Sequence, residues 1–152
     1  MRLRSVAPVV LSLALLLAAS PAVAGQVEKS LPFELGRWID LAASDGPVTL
    51  HRIRIARQGV GAKSRILRPG NSEYLEDVQI QLEFSNDATR DWEAHLRIKW
   101  LDADGAVIDG YNDSETLGSE ERHDEQTVTL STLRYGLERA RKLELRIEFE
   151  PD

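Results

Sequence analysis

The chain has 152 residues, a formal net charge of −6 and no cysteine. That length suits one ordinary domain with its own core, and the acidic balance argues against coating nucleic acid or an anionic membrane surface by net charge. The missing cysteine excludes disulfides, thiolate nucleophiles, Cys-ligated metals and a lipobox lipid anchor.

Met1-Arg2-Leu3-Arg4 is a short basic stretch, and the run from Val6 to Ala19 is apolar apart from Pro8 and Ser12. Ser20-Pro21 breaks any helix, and Ala22-Val23-Ala24 has the small-x-small pattern that signal peptidase accepts. The apolar core is shorter than the roughly 20 residues of a membrane span. The expectation is a cleaved signal peptide over 1–24 and a single domain over 25–152, with an uncleaved anchor as the alternative. Losing Arg2 and Arg4, with no acid, leaves 128 residues at a net charge of −8.

Period-two alternation dominates residues 25–152. Phe33, Leu35, Ile39 and Leu41 share one parity, which predicts a strand over about 33–41. From Val48 to Arg57 the apolar parity switches between Leu50 and Ile53, which predicts a β-bulge near His51-Arg52. Val78–Phe84, Trp92–Trp100 and Leu143–Glu150 alternate cleanly, one face for a core and one for water. Val107-Ile108 and Val128–Leu130 mark two shorter strands.

Asp102-Ala103-Asp104-Gly105 predicts a hairpin between strands 92–101 and 106–112. Ser85–Asp91 reads as the link between two antiparallel neighbours. Only Thr132–Arg141 reads as helical, with Leu133, Leu137 and Ala140 at i, i+4 and i+7 and Ser131 or Thr132 as the cap. The expected fold is all-β: a two-sheet antiparallel immunoglobulin-like sandwich of about seven strands, with one short helix before the last strand. A small barrel is the alternative.

Val78-x-Ile80-x-Leu82, then Asn86, then Leu96-x-Ile98-x-Trp100-x-Asp102-Ala103-Asp104-Gly105-x-Val107-Ile108 resembles the FxLYD-type and related immunoglobulin-like domains of bacterial envelope proteins. The resemblance covers about residues 76–150. It implies a non-catalytic sandwich and transfers no functional residue. The strand before Asn86 lacks the glycine often seen there, and no proline-glycine turn precedes the 124–131 strand.

Residues that carry chemistry are sparse. Gly70-Asn71-Ser72-Glu73-Tyr74 begins like a nucleophile elbow but ends in Tyr and lacks the strand-to-helix context. His51, His95 and His123 show no metal-ligand spacing. His95 falls on the solvent parity of its strand, and His123 sits among carboxylates in a charged loop. Counted back from Gly105, the acidic turn fails the EF-hand pattern, while Asp109, Asp113 and Glu115 read as loop carboxylates able to gather at a sandwich end. Trp92 and Trp100 lie on a core parity; Trp38 opposes the apolar parity of its strand.

Charge segregation is the remaining signal. Gly46–Ser72 contains no acid and six cations: Arg52, Arg54, Arg57, Lys63, Arg65 and Arg68. Gln58–Tyr74 is also long for a connection in a compact sandwich. Arg57, Lys63, Arg65 and Arg68 are the candidate partner-binding residues, a basic lip for an anionic ligand or an envelope protein. The competing reading pairs these arginines with acids of the same sheet, such as the Glu-rich 143–150 segment. Neither a catalytic residue nor a cofactor nor a metal site is expected. The functional expectation is an exported, soluble, non-catalytic module of the bacterial envelope, periplasmic or secreted. A cation- or ligand-binding sandwich and an enzyme with an unadvertised site are the competing classes.

Overall fold

Alternation of apolar and polar side chains becomes two facing sheets. The computed structural model describes residues 25–58 and 74–152, so the signal-peptide expectation lies outside the described residues. The strands are β1 (Gln26–Pro32), β2 (Trp38–Asp45), β3 (Val48–Arg57), β4 (Leu75–Asn86), β5 (Trp92–Leu101), β6 (Val107–Leu117), β7 (Asp124–Leu133) and β8 (Lys142–Pro151). One short helix, α1 (Arg134–Arg139), precedes β8. The sheets run β1-β8-β5-β6 and β2-β3-β4-β7, and every pairing is antiparallel. The fold is therefore the expected two-sheet sandwich with a helix before the last strand.

The core is made by the parities read in the sequence. Val78, Ile80, Leu82 and Phe84 of β4 face Ala94, Leu96, Ile98 and Trp100 of β5 and Leu143, Leu145, Ile147 and Phe149 of β8, all buried. Each fully buried Leu, Ile or Phe among them contributes about 1.5–3 kcal/mol relative to exposure. Phe33 lies 6.4 Å from Trp100, ring to ring, and closes one edge of this core.

Four expectations change. Eight strands form because β1 adds to β8; Lys29 between Val27 and Leu31 hides the alternation of that strand. The predicted 33–41 strand instead holds a turn, with Gly36 at φ 79° and its N–H donating to the Ile55 carbonyl. Phe33 and Leu35 are apolar because they pack on the core as the chain crosses between sheets.

Ser85–Asp91 joins no neighbours either, since β4 and β5 belong to opposite sheets. Their apolar faces pack against each other instead of their edges pairing. Asn86 builds that crossing: its amide donates to the Arg90 and Leu117 carbonyls and its oxygen accepts from the Ala88 N–H.

The helix is shorter than expected, and neither expected hydroxyl caps it. Leu133 is the N-cap, without a side-chain hydrogen bond. Ser131 donates to Asp77 and Thr132 to Asp109, so both hydroxyls serve as cross-strand and cross-sheet links.

The hairpin and the bulge form where expected. Asp102 Oδ1 accepts from the N–H groups of Asp104 and Ala106, and Gly105 takes φ 84° in the β5–β6 turn. The β3–β4 register shifts between Leu50 and Arg52, leaving His51 as the extra residue. The bulge turns His51 and Arg52 outward together.

Candidate functional site

The end of the sandwich that carries α1 gathers the exposed apolar side chains. β7 runs into α1 at Leu133, and α1 packs on β6 through Gly136, where an added Cβ would collide with the Ile108 side chain. Burying Leu137 on the inner side of α1 leaves Tyr135 on the outer side. The large hydrophobics classed as exposed among the described residues are Tyr74, Val107, Leu133 and Tyr135, at 68%, 57%, 51% and 69%. All four line one groove of about 550 Å³ between the start of β4, the β5–β6 turn and α1.

The rim of this groove is charged. Arg139 lies 3.7 Å from Asp102 and 5.5 Å above the Tyr135 ring. Arg134 donates its backbone N–H to the Tyr74 carbonyl, and its guanidinium has no ion-pair partner among the described residues. β6 begins and β7 ends at the groove, and among the described residues both are edge strands of their sheets. An apolar groove flanked by unpaired strand edges can accept an extended segment, with main-chain hydrogen bonds supplying affinity and apolar pockets supplying selectivity.

Of the sequence-predicted partner-binding residues, Arg57 ends β3 at this same end of the molecule, with its guanidinium 3.3 Å from Glu76. Lys63, Arg65 and Arg68 lie outside the described residues, as do Gly70, Asn71 and Ser72 of the elbow-like sequence. The segment carrying them leaves after Gln58, whose N–H donates to the Asp77 carbonyl, and returns at Tyr74 in the groove wall. Arg52 also finds acids within its own sheet, although on β4 and β7 rather than on β8: it bonds Glu83 and lies 3.9 Å from Glu125.

A polar network covers the outer face of the β2-β3-β4-β7 sheet at the bulge. His51 Nε2 lies 2.8 Å from Ser85 Oγ, and Ser85 Oγ also accepts the His123 N–H at 3.0 Å. The His51 and His123 rings stack at 4.4 Å, and His123 Nδ1 lies 2.8 Å from Glu83 Oε1. Trp38 underlies the Arg52 guanidinium at 4.4 Å, which explains its polar parity. The His123 bond and Arg52 hold the Glu83 carboxyl below its ordinary range, although burial opposes them.

Ser85 and Glu83 are buried, so this network ties the chain before β7 to β4. No spacing in the sequence joins these histidines. Partners 34 to 40 residues apart meet only once β3, β4 and the approach to β7 align.

The acidic residues Asp109, Asp113 and Glu115 are strand residues of β6, not loop residues. In register with Trp100, Leu96 and Ala94, they point toward the inner side of an edge strand. Asp109 accepts from Thr132, and Glu115 accepts from the Tyr111 hydroxyl, whose pKa burial and that bond push up. They do not gather around one point. The His/carboxylate group with metal-ligand spacing among the described residues is Glu93, His95 and Glu150, on the outer face of the other sheet.

No protein-family model matches the chain, and no curated protein matches it. Among solved structures it is similar to a DUF1425 family member from Shewanella sp. pv-4, at 13% identity and a TM-score of 0.32, covering 74% of this chain and 94% of that one. It is also similar to the Avr2 effector protein from the fungal plant pathogen Fusarium oxysporum, at 14% identity and a TM-score of 0.29, covering 84% and 88%.

Proposed function

We propose that this chain is an exported, non-catalytic β-sandwich module of the bacterial envelope, periplasmic or secreted, that binds a partner protein in the groove beside α1. The observation that carries the reading is the convergence of Tyr74, Val107, Leu133 and Tyr135 on one groove. Contiguous exposed apolar surface of this kind marks interaction sites. Export rests on the basic, apolar and small-x-small succession of residues 1–24, and the FxLYD-type resemblance belongs to the same reading.

The occupant is an extended segment with apolar side chains flanked by acids. Its apolar residues match the groove. Its acids match Arg134, whose guanidinium has no ion-pair partner among the described residues. A non-catalytic role fits the engagement of Ser85, the hydroxyl bonded to an imidazole, with both His51 and the His123 amide.

The test is site-specific photocrosslinking in intact cells from position 135 and, as a control, from the exposed Arg97 of β5, which does not line the groove. A discrete adduct from position 135 alone is expected. Binding of the purified partner should weaken at least tenfold in Tyr135→Ser, since anchoring aromatic residues contribute about 2 kcal/mol at interfaces. Equal labelling from both positions, or binding that Tyr135→Ser leaves unchanged, refutes the reading.

A further inference from the structure

On the outer face of the β1-β8-β5-β6 sheet, β5 and β8 set Glu93 directly opposite Glu150 in register, with His95 opposite Glu148. Two carboxylates facing each other across a strand pair oppose folding. Neither has a basic partner among the described residues other than His95, whose Nε2 lies 2.7 Å from Glu150 Oε1. The Glu93 carboxylate has no hydrogen bond or ion pair among those residues. The neighbouring cations are taken or distant in register: Arg146 bonds Glu148, and Arg97 pairs in register with Arg146.

From this arrangement we infer that Glu93, His95 and Glu150 form a binding site for a divalent first-row transition metal, zinc fitting best. One ligand atom from each residue lies within 4.8 Å of the others. Glu93 and His95 are two residues apart on β5, so both side chains leave the same face, and Glu150 meets them from β8. Donors at 2.0–2.1 Å from a tetrahedral zinc lie roughly 3.3 Å apart. The His95–Glu150 contact therefore opens by about 0.6 Å on binding. That adjustment is small for side chains 43% and 52% exposed.

The donor set selects the metal class. One imidazole and two carboxylates suit zinc and its first-row neighbours. Calcium takes six to eight oxygen ligands and makes little use of an imidazole nitrogen. Three protein ligands leave a coordination position for water or for a donor group of a bound partner. The site stands apart from the α1 groove: it lies at the Trp92 end of β5, whereas the groove lies beyond Leu101. Its test is thus independent of the groove.

The experiment is calorimetric titration of the purified protein with zinc chloride near pH 7.5, paired with cobalt(II) absorption spectroscopy to report coordination. One saturable equivalent is expected. His95→Ala and Glu93→Gln should each weaken binding at least tenfold. His123→Gln, on the other sheet, should leave it within twofold. Glu93→Gln should also raise the melting temperature of the metal-free protein, by removing the opposed carboxylates, and shrink the rise that zinc produces. A purely structural role for these residues would not reverse that order. Absence of a saturable equivalent up to millimolar zinc, or equal affinity in His95→Ala, overturns the inference.

Discussion

Replacing Asn86 by alanine tests how the two sheets are joined. Asn86 is fully buried, and its side chain makes three hydrogen bonds: to the Arg90 carbonyl at 3.0 Å, to the Leu117 carbonyl at 3.0 Å and from the Ala88 N–H at 2.9 Å. The Leu117 bond is buried outright, whereas water reaches the region of the other two more readily. Stranding a buried carbonyl costs about 2 kcal/mol, and each partly hydrated bond lost costs about 1 kcal/mol. The expected loss is therefore about 4 kcal/mol. For a domain of this size that corresponds to a fall of about 15 °C in melting temperature.

Urea denaturation measures the effect directly. The midpoint should fall by about 2 M with the slope unchanged, because the surface exposed on unfolding stays the same. Asn112→Ala, at an exposed position of β6, is the matched control and should stay within about 0.5 kcal/mol. An Asn86→Ala midpoint within about 0.5 M of the parent would show that water replaces the amide at no cost, and the account of this crossing would fail.

Other consequences are as direct. Gly110 lies against β5 so closely that a Cβ would overlap the Ile98 carbonyl oxygen, so Gly110→Ala should lower stability by about 2 kcal/mol or more, measured as above; an unchanged midpoint refutes the close approach. Glu83 has a folded pKa below its ordinary 4.5, so its contribution is present above that pH and is lost as pH falls through the folded value. Glu83→Gln should flatten the acid limb of the stability profile below pH 4.5, and an identical limb would count against the His123–Glu83 bond.

His95 has the opposite sign. Its bond to Glu150, with help from Glu93 and Glu148, raises its pKa above 6.5, so that stability is full below 6.5 and is lost as pH rises through the folded value. Glu150→Gln should bring the His95 titration, followed by NMR in metal-free protein, back toward 6.5. Replacing Lys63, Arg65 and Arg68 with alanine should reduce the salt dependence of partner capture; capture with unaltered salt dependence would remove the basic segment from the binding surface.

Much of the fold was legible because burial imposes a period of two on a strand. The sequence of β5, apolar at every even position from Trp92 to Trp100, states which face is inside before any partner is known. The switch of parity after Leu50 marks the bulge for the same reason. β1 stayed hidden because Lys29 occupies an inward parity at a sheet edge, where a long side chain reaches water. In β6 the inner parity carries Asp109, Tyr111, Asp113 and Glu115, so the sequence marks a strand only over 106–112 and its continuation to Leu117 stayed hidden.

The sites were less legible. The groove brings together Tyr74 just before β4, Val107 of β6, Leu133 of β7 and Tyr135 of α1, none unusual in its own segment. Glu93 faces Glu150 because of a cross-strand register that no local pattern encodes.

By itself, then, the sequence determined the all-β character, the buried face of each regular strand, the Asp102–Gly105 turn and the bulge at His51. Those come from short-range rules: side-chain alternation, turn chemistry and a shift of parity. Tertiary structure alone decided which strands share a sheet, how His51 meets Ser85 and His123, and which apolar side chains were left outside the core. Alternation specifies a face but neither a neighbour nor a register. Those are chosen by packing two apolar faces, β4 against β5 and β8, into one core.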